Sequence, residues 1–209
     1  IPKIIDSLSA GKSIALVSDA GMPGICDPGE DLVRMTIQAG HEVICIPGPC
    51  AAITALISSG LPSSKFIFEG FLPKKKIERE KVLLEISKCE KTTIIYESPH
   101  RLNRLLEDLK KYCGGSREIR VAREMTKKYE EHIGQTIDEL IKFFENNAPR
   151  GEFTILVKGT LNKNNSIIDN LLLKEELYEL VSLGLNLSSA SKYLAKKNNL
   201  SKSSIYNLY

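Results

Sequence analysis

The sequence has no Cys-x-x-Cys pair, no apolar run approaching the roughly 18–20 residues of a membrane span, and no low-complexity tract. Its five cysteines, Cys26, Cys45, Cys50, Cys89 and Cys113, are an odd number. They read as reduced cytoplasmic thiols, not as a disulfide frame or a zinc site. The start, Ile1 to Lys12, lacks the charged-then-apolar build of a secretory signal. No GxxxxGK[ST] loop and no GxGxxG turn is present, which argues against a phosphate cradle. No GxSxG elbow or arguable Cys–His pair suggests a nucleophile, and His41, His100 and His132 lack ligand spacing, so no metal site is expected. Charge of one sign is scarce as well. The net charge is +3; residues 1–157 balance to zero, and the excess lies in residues 158–209, where seven lysines face four acidic residues.

What is present is the ordinary mix of a globular protein, 42% hydrophobic and 26% charged over 209 residues. Strand and helix patterns alternate. Ser13–Asp19 is a short apolar run between Gly11 and a Gly/Pro-rich loop and reads as a buried strand. Gly29–Ala39 has helical spacing and stops at Gly40, and Glu42–Ile46 is the next apolar run. Together they predict a βαβ unit with parallel strands. Cys50–Ser59 predicts a closely packed helix of small residues, Lys65–Phe71 a strand and Ile77–Ser87 a helix. Thr92–Glu97 is β-branched and apolar, as a central strand should be. Ser98 fits an N-cap and Pro99 the first turn of a helix to about Tyr112. Glu118–Arg123 and Glu152–Val157 read as strands, with a helix over Thr136–Asn147 between them.

Beyond Lys158-Gly159 the pattern changes. Asn162–Ser166 reads as a polar linker, and three helical patterns follow near 167–183, 188–198 and 201–208. Ser188 and the Leu200–Ser203 stretch supply caps, and short helices joined by capped turns resemble a helix-turn-helix unit.

Three strand ends carry unusual loops. Asp19–Gly29 holds three glycines and two prolines, Pro47–Ala52 opens a helix with small side chains, and Tyr96–Arg101 joins a strand to a helix. Ligands of open α/β sheets bind beyond the carboxyl ends of strands, so the three together predict a small-molecule pocket. Being rich in backbone and poor in phosphate motifs, it suits a nucleoside-like ligand held by main-chain contacts.

Six blocks, Val17–Gly29, Ile46–Ala52, Phe68–Pro73, Tyr96–Arg101, Val121–Lys127 and Arg150–Thr154, resemble in their order the ribosomal RNA small subunit methyltransferase I family of the tetrapyrrole methylase superfamily. The resemblance runs the length of the chain. It implies a two-domain α/β tetrapyrrole methylase-like fold, with a donor cleft between the domains and a small C-terminal helical, helix-turn-helix-like tail. The expected boundaries are 1–48 for the remainder of the first domain, 49–160 for the second and 161–209 for the tail. The family's opening strand, with its Pro-x-Pro-x-Gly-Asn loop and acidic Glu-Asp-Thr-Arg segment, has no counterpart here. The chain starts within the helix that follows them, which implies an N-terminally truncated, incomplete first domain.

The resemblance also implies S-adenosyl-L-methionine as methyl donor and 2′-O-methylation of a cytidine ribose in small-subunit ribosomal RNA, by a cytoplasmic homodimer with no membrane association. Carried over by motif, Asp19, Ala20, Gly21, Ile25, Cys50, Ala51, Tyr96, Glu97 and Met125 should line the donor site. Cys50 stands where the family often has serine. A 2′-hydroxyl is a weak nucleophile, so a base or a cation near it should help. Candidates on or just past strand ends are Glu97, His100, Arg101, Arg123 and Glu124, of which Glu97 is favoured for the donor site over proton transfer. Lys74–Lys76, Lys127-Lys128 and the tail lysines Lys192, Lys196, Lys197 and Lys202 are candidate phosphate contacts, with Tyr193, Tyr206 and Tyr209 as candidate stacking rings. Three readings stay beside this one: a methyltransferase of tetrapyrrole precursors or of a modified protein side chain, an RNA-binding or assembly module without catalysis, and a plain α/β domain whose loops are structural.

Overall fold

A computed structural model describes residues 1–160, 163–198 and 200–209, the side chains of 163–172 excepted. The chain divides into two compact units, Ile1–Thr160 and Leu161–Tyr209.

The first unit opens with helix α1 (Pro2–Ser9) and α2 (Glu30–Gln38), followed by α3 (Ala51–Ser58). Strand β1 (Phe66–Phe71), helix α4 (Lys76–Lys88) and strand β2 (Thr92–Glu97) come next, then α5 (Pro99–Cys113), β3 (Ile119–Arg123), β4 (Glu131–Ile133), α6 (Ile137–Asn146) and β5 (Phe153–Val157). The five strands form one sheet in the order β1-β2-β5-β3-β4. β1 and β2 are parallel, and every other neighbouring pair is antiparallel. Since β5 opposes both β2 and β3, the carboxyl ends of β1, β2 and β3 lie at one edge of the sheet together with the start of β5.

Period-2 alternation sends successive side chains to opposite faces. On one face Ile95, Val121, Ile155 and Val157 pack with Leu83 and Ile86 of α4, Leu102, Leu105, Leu106 and Leu109 of α5, and Ile137, Leu140 and Phe144 of α6. On the other, Ile94, Ala122 and Leu156 meet Ala52, Ala55 and Leu56 of α3, whose small side chains allow a close approach. Helix α6 starts with a capping box between Thr136 and Glu139.

Two expected strands are absent. Segments 13–19 and 42–46 carry no strand pairing, and their apolar side chains are open: Val17 is 81% exposed, Ile44 71% and Ile46 78%. A strand exists only through a neighbour that takes its backbone groups, and apolar alternation alone supplies none. The parallel βαβ unit of this chain is β1–α4–β2 instead. Strand β4 escapes sequence reasoning because it is three polar-rich residues defined by register, Val121 against Ile133 and Arg123 against Glu131.

In the second unit, α7 (Lys163–Ser182), α8 (Leu187–Asn198) and α9 (Lys202–Tyr206) enclose Leu173, Leu177, Ala190, Leu194, Ala195 and Ile205. Lys163 to Ser166 open α7 and do not form a linker; Asn162 lies outside the described residues. The cap of α8 is Asn186, whose Oδ1 accepts the Ser189 N–H at 2.8 Å, not Ser188. Ser201 caps α9 as its spacing predicts, accepting the Ser204 N–H at 3.1 Å.

Candidate functional site

The edge where β1, β2 and β3 end and β5 begins walls a cavity of about 620 Å³. That volume falls within the roughly 300–1,000 Å³ usual for small-molecule sites. Asp19, Ala20, Gly21, Ile25, Cys50, Ala51, Tyr96, Glu97 and Met125 all line it.

Each wall has a local cause. The 16–28 wall is a loop bent by positive φ at Gly21 (+69°), Gly24 (+79°) and Cys26 (+56°), closed at Gly29 (+145°). A Cβ on Gly21 would meet only the Pro49 carbonyl oxygen, at 3.9 Å, so its glycine serves backbone conformation and not clearance. A second wall is the start of α3, where the Ala52 N–H donates to the Tyr96 Oη at 3.1 Å. Tyr96 also packs edge-on to Phe68 and Phe71, with ring centroids 5.1 and 5.9 Å away. Burial pushes its phenol pKa up to about 12, with the Ala52 N–H working against the shift, so the ring stays neutral at ordinary pH.

Glu97 is 2% exposed. Its Oε1 accepts the Ser98 N–H at 2.9 Å and lies 3.4 Å from Arg101 Nε; its Oε2 has no hydrogen bond and lies 3.8 Å from Arg79 Nη1. Ser98 does occupy the N-cap of α5, but its side chain makes no capping bond; Glu97 takes the Ser98 N–H.

Met125 reaches the cavity from a strained turn after β3. Glu124 (φ +51°) and Thr126 (φ +66°) flank it, both non-glycine residues in the left-handed region. The turn is pinned by the Glu124 carboxylate, which accepts the Glu152 N–H at 2.9 Å and the Lys127 ammonium at 3.1 Å. Those bonds hold the Glu124 carboxyl below its usual range, the Glu152 N–H having the larger effect.

Of the five candidates for chemistry, Glu97 alone lines the cavity. Arg101 donates to the Leu72 carbonyl at 2.9 Å and flanks Glu97, while His100 is exposed at the outer turn of α5. Arg123 pairs with Glu131 at 3.0 Å across β3 and β4, and Glu124 is committed to the turn. Cys26 and Asp27 fall within the Asp19–Gly29 loop expected to wall the pocket, though not named singly; sequence reasoning missed Phe71, Glu152 and Thr154 as lining residues. Register brings two of them in: Phe71 and Thr154 flank Tyr96 on the neighbouring strands. A strand end beside Tyr96 was the available signal for Phe71; the partner of an antiparallel strand some sixty residues on has none.

The lining is acidic. Asp19 and Asp27 contribute carboxylates without an ion-pair partner among the described residues, Glu152 is paired with Lys127 at 2.9 Å and Glu97 is buried beside Arg79 and Arg101, and no Lys, Arg or His is among the described lining residues. Such a cavity favours a ligand with cationic groups and disfavours phosphate.

The sequence profile of the family described as Tetrapyrrole (Corrin/Porphyrin) Methylases matches residues 2–141, and the chain belongs to that family. The fold agrees with solved members: the methyltransferase CobJ superimposes with a TM-score of 0.60 at 22% identity, over 76% of this chain and 70% of that one. Within the family the chain groups with ribosomal RNA small subunit methyltransferase I. The protein of that name from Synechocystis sp. is 43% identical over 206 residues, covering 99% of this chain and 74% of the relative. The one from Bacillus subtilis is 42% identical over 214 residues, covering 99% and 72%.

Proposed function

We propose that the 620 Å³ cavity binds S-adenosyl-L-methionine, and that the protein transfers its methyl group to a cytidine 2′-hydroxyl of small-subunit ribosomal RNA. The observation that carries this reading is the cavity's lining, where Asp19 and Asp27 lie among small or apolar residues with no ion pair to any described residue and no basic side chain lines the wall. The donor combines a sulfonium, an ammonium and a carboxylate with an adenosine, a net charge of one positive unit, and this donor set suits its cationic groups. Asp19 and Asp27 would offset its positive charge, while the Glu97 carboxylate, buried against Arg79 and Arg101, would hold the wall in shape. Ala20, Gly21 and Ala51 leave backbone accessible, and Ile25, Phe71 and Met125 offer apolar surface for a base. When bound, the sulfonium supplies a methyl group already activated for in-line displacement.

What these residues contribute is positioning and water exclusion, which lower the barrier by fixing the approach of the acceptor. The ribosomal substrate is supported by the relatives' names and their near-complete match to this chain. A cytoplasmic homodimer belongs to the same reading, as the family resemblance implies.

Titration calorimetry with S-adenosylmethionine tests the proposal. Saturable binding, displaced by S-adenosylhomocysteine and weakened at least roughly tenfold by Gly21→Val, is the expected result, because valine resists the φ of +69° there. Absence of binding, or undiminished affinity in Gly21→Val, would contradict it.

A further inference from the structure

The groove between α4 and α5 holds a second cavity of about 170 Å³, walled by Lys76, Arg79, Arg104, Lys111 and Tyr112 together with Glu80 and Asp108. Its charge is the reverse of the first cavity's. Helical spacing assembles it: Lys76, Arg79 and Glu80 share one face of α4, and Arg104, Asp108 and Lys111 recur at i, i+4 and i+7 on α5.

Arg79 is only 3% exposed. Its Nε donates to Asp108 Oδ2 at 2.8 Å, yet Nη1 and Nη2 make no hydrogen bond. Glu97 Oε2, 3.8 Å from Nη1, stands beyond bonding reach. Both Nη atoms are shielded from solvent, so Arg79 sets a fixed positive charge beneath the groove without presenting an edge to it. Lys76, Arg104 and Lys111 form no ion pair with any described residue. Four cations thus face two carboxylates, and Asp108 is already engaged by Arg79.

We infer that this groove binds an oxyanion of the phosphate type, held by the exposed Lys76, Arg104 and Lys111 above the buried Arg79. Two sources share that chemistry: inorganic phosphate and a backbone phosphodiester of an RNA strand. Capture of phosphate does not rest on the methyl-transfer reading; assignment to RNA does.

Calorimetric titration of the full chain with inorganic phosphate, at fixed ionic strength, tests the site. The expected result is saturable one-to-one binding, weakened at least roughly tenfold in R104E/K111E, whose two positions are exposed. The melting temperature of that variant should be unchanged, and R104Q/K111Q replaces it if it is not. Absence of saturable binding, or equal affinity in the variant that keeps its fold, overturns the site. A second arm titrates a short single-stranded RNA with and without saturating phosphate. Competition that disappears in the variant assigns the site to the RNA backbone, and RNA binding indifferent to phosphate assigns it to the free anion. S-adenosylmethionine affinity measured on the same samples separates the two readings: its loss with phosphate binding intact sinks the methyl-transfer reading and leaves this site standing.

Discussion

The two walls of the larger cavity are built by different physics. The sheet wall, Tyr96, Glu97, Phe153 and Thr154, sits on strands whose backbones are laddered on both sides and whose buried side chains are held by packing and hydrogen bonds. The wall formed by 16–28 has no ladder and is shaped by turns at Gly21, Gly24, Cys26 and Gly29. The first is fixed before any ligand arrives. The second has few buried contacts, the condition under which a segment opens locally, so binding should order it. One wall therefore answers to changes in stability and the other to changes in affinity.

The largest expected effect breaks the sheet wall. Glu97→Ala leaves the buried Arg79 with only Asp108, strips the Ser98 N–H of its acceptor and removes the ion-pair partner of Arg101. Removing one member of a buried ion pair of this kind costs about 3 kcal/mol. Chemical denaturation of the variant should show that loss; a midpoint unmoved from the parent's would mean that the wall is not held as described.

That wall was also the more legible in the sequence. Thr92–Glu97 declares itself through β-branched residues, Pro99 marks the first turn of α5, and Thr136 begins α6. Each signal is local. The loop wall was legible for a different reason, since its glycines and prolines mark bends irrespective of what they bend around. What the sequence did not disclose depends on neighbours. Segments 13–19 and 42–46 have strand-like composition without a pairing partner, Ser188 lost the cap of α8 to Asn186 two residues earlier, and Thr154 reaches the site through register with Tyr96. The tail's expected stacking rings Tyr193, Tyr206 and Tyr209 are all exposed, and Tyr209 already packs on Tyr178 with centroids 4.7 Å apart.

The next prediction joins the walls. Gly70, at a bulge in β1 with φ +62°, would place a Cβ 2.6 Å from Cys26 Sγ. Gly70→Ala should push the loop outward and weaken donor binding roughly tenfold. Adding Cys26→Ala removes the obstructing sulfur and should recover part of that affinity, the remainder being the backbone strain of about 1 kcal/mol. If the double variant binds as weakly as Gly70→Ala, the contact does not position the loop.

The smallest effect sharpens the sheet wall. A folded-state phenol pKa raised to about 12 means that Tyr96 keeps its proton where an unfolded tyrosine, near 10, has lost it. Its contribution to stability is complete below pH 10 and falls away as pH climbs toward 12. Ultraviolet titration of the native protein should show a phenol ionising near pH 12, and Tyr96→Phe should delete that step. The same substitution removes the acceptor of the Ala52 N–H and should cost about 1 kcal/mol at neutral pH. A late step that survives in Tyr96→Phe would assign it to another ring.

Because β5 enters the sheet at the end where β1, β2 and β3 leave it, the short connection from α6 delivers its residues directly to the cavity's rim. Gly151, at φ +86°, lies so near the Glu124 side chain that a methyl group there would sit 2.6 Å from it. Sequence drift in that connection can recontour the cavity's rim while the helical layer on the sheet's far side stays untouched, so rim shape and foldability are separable traits of this architecture.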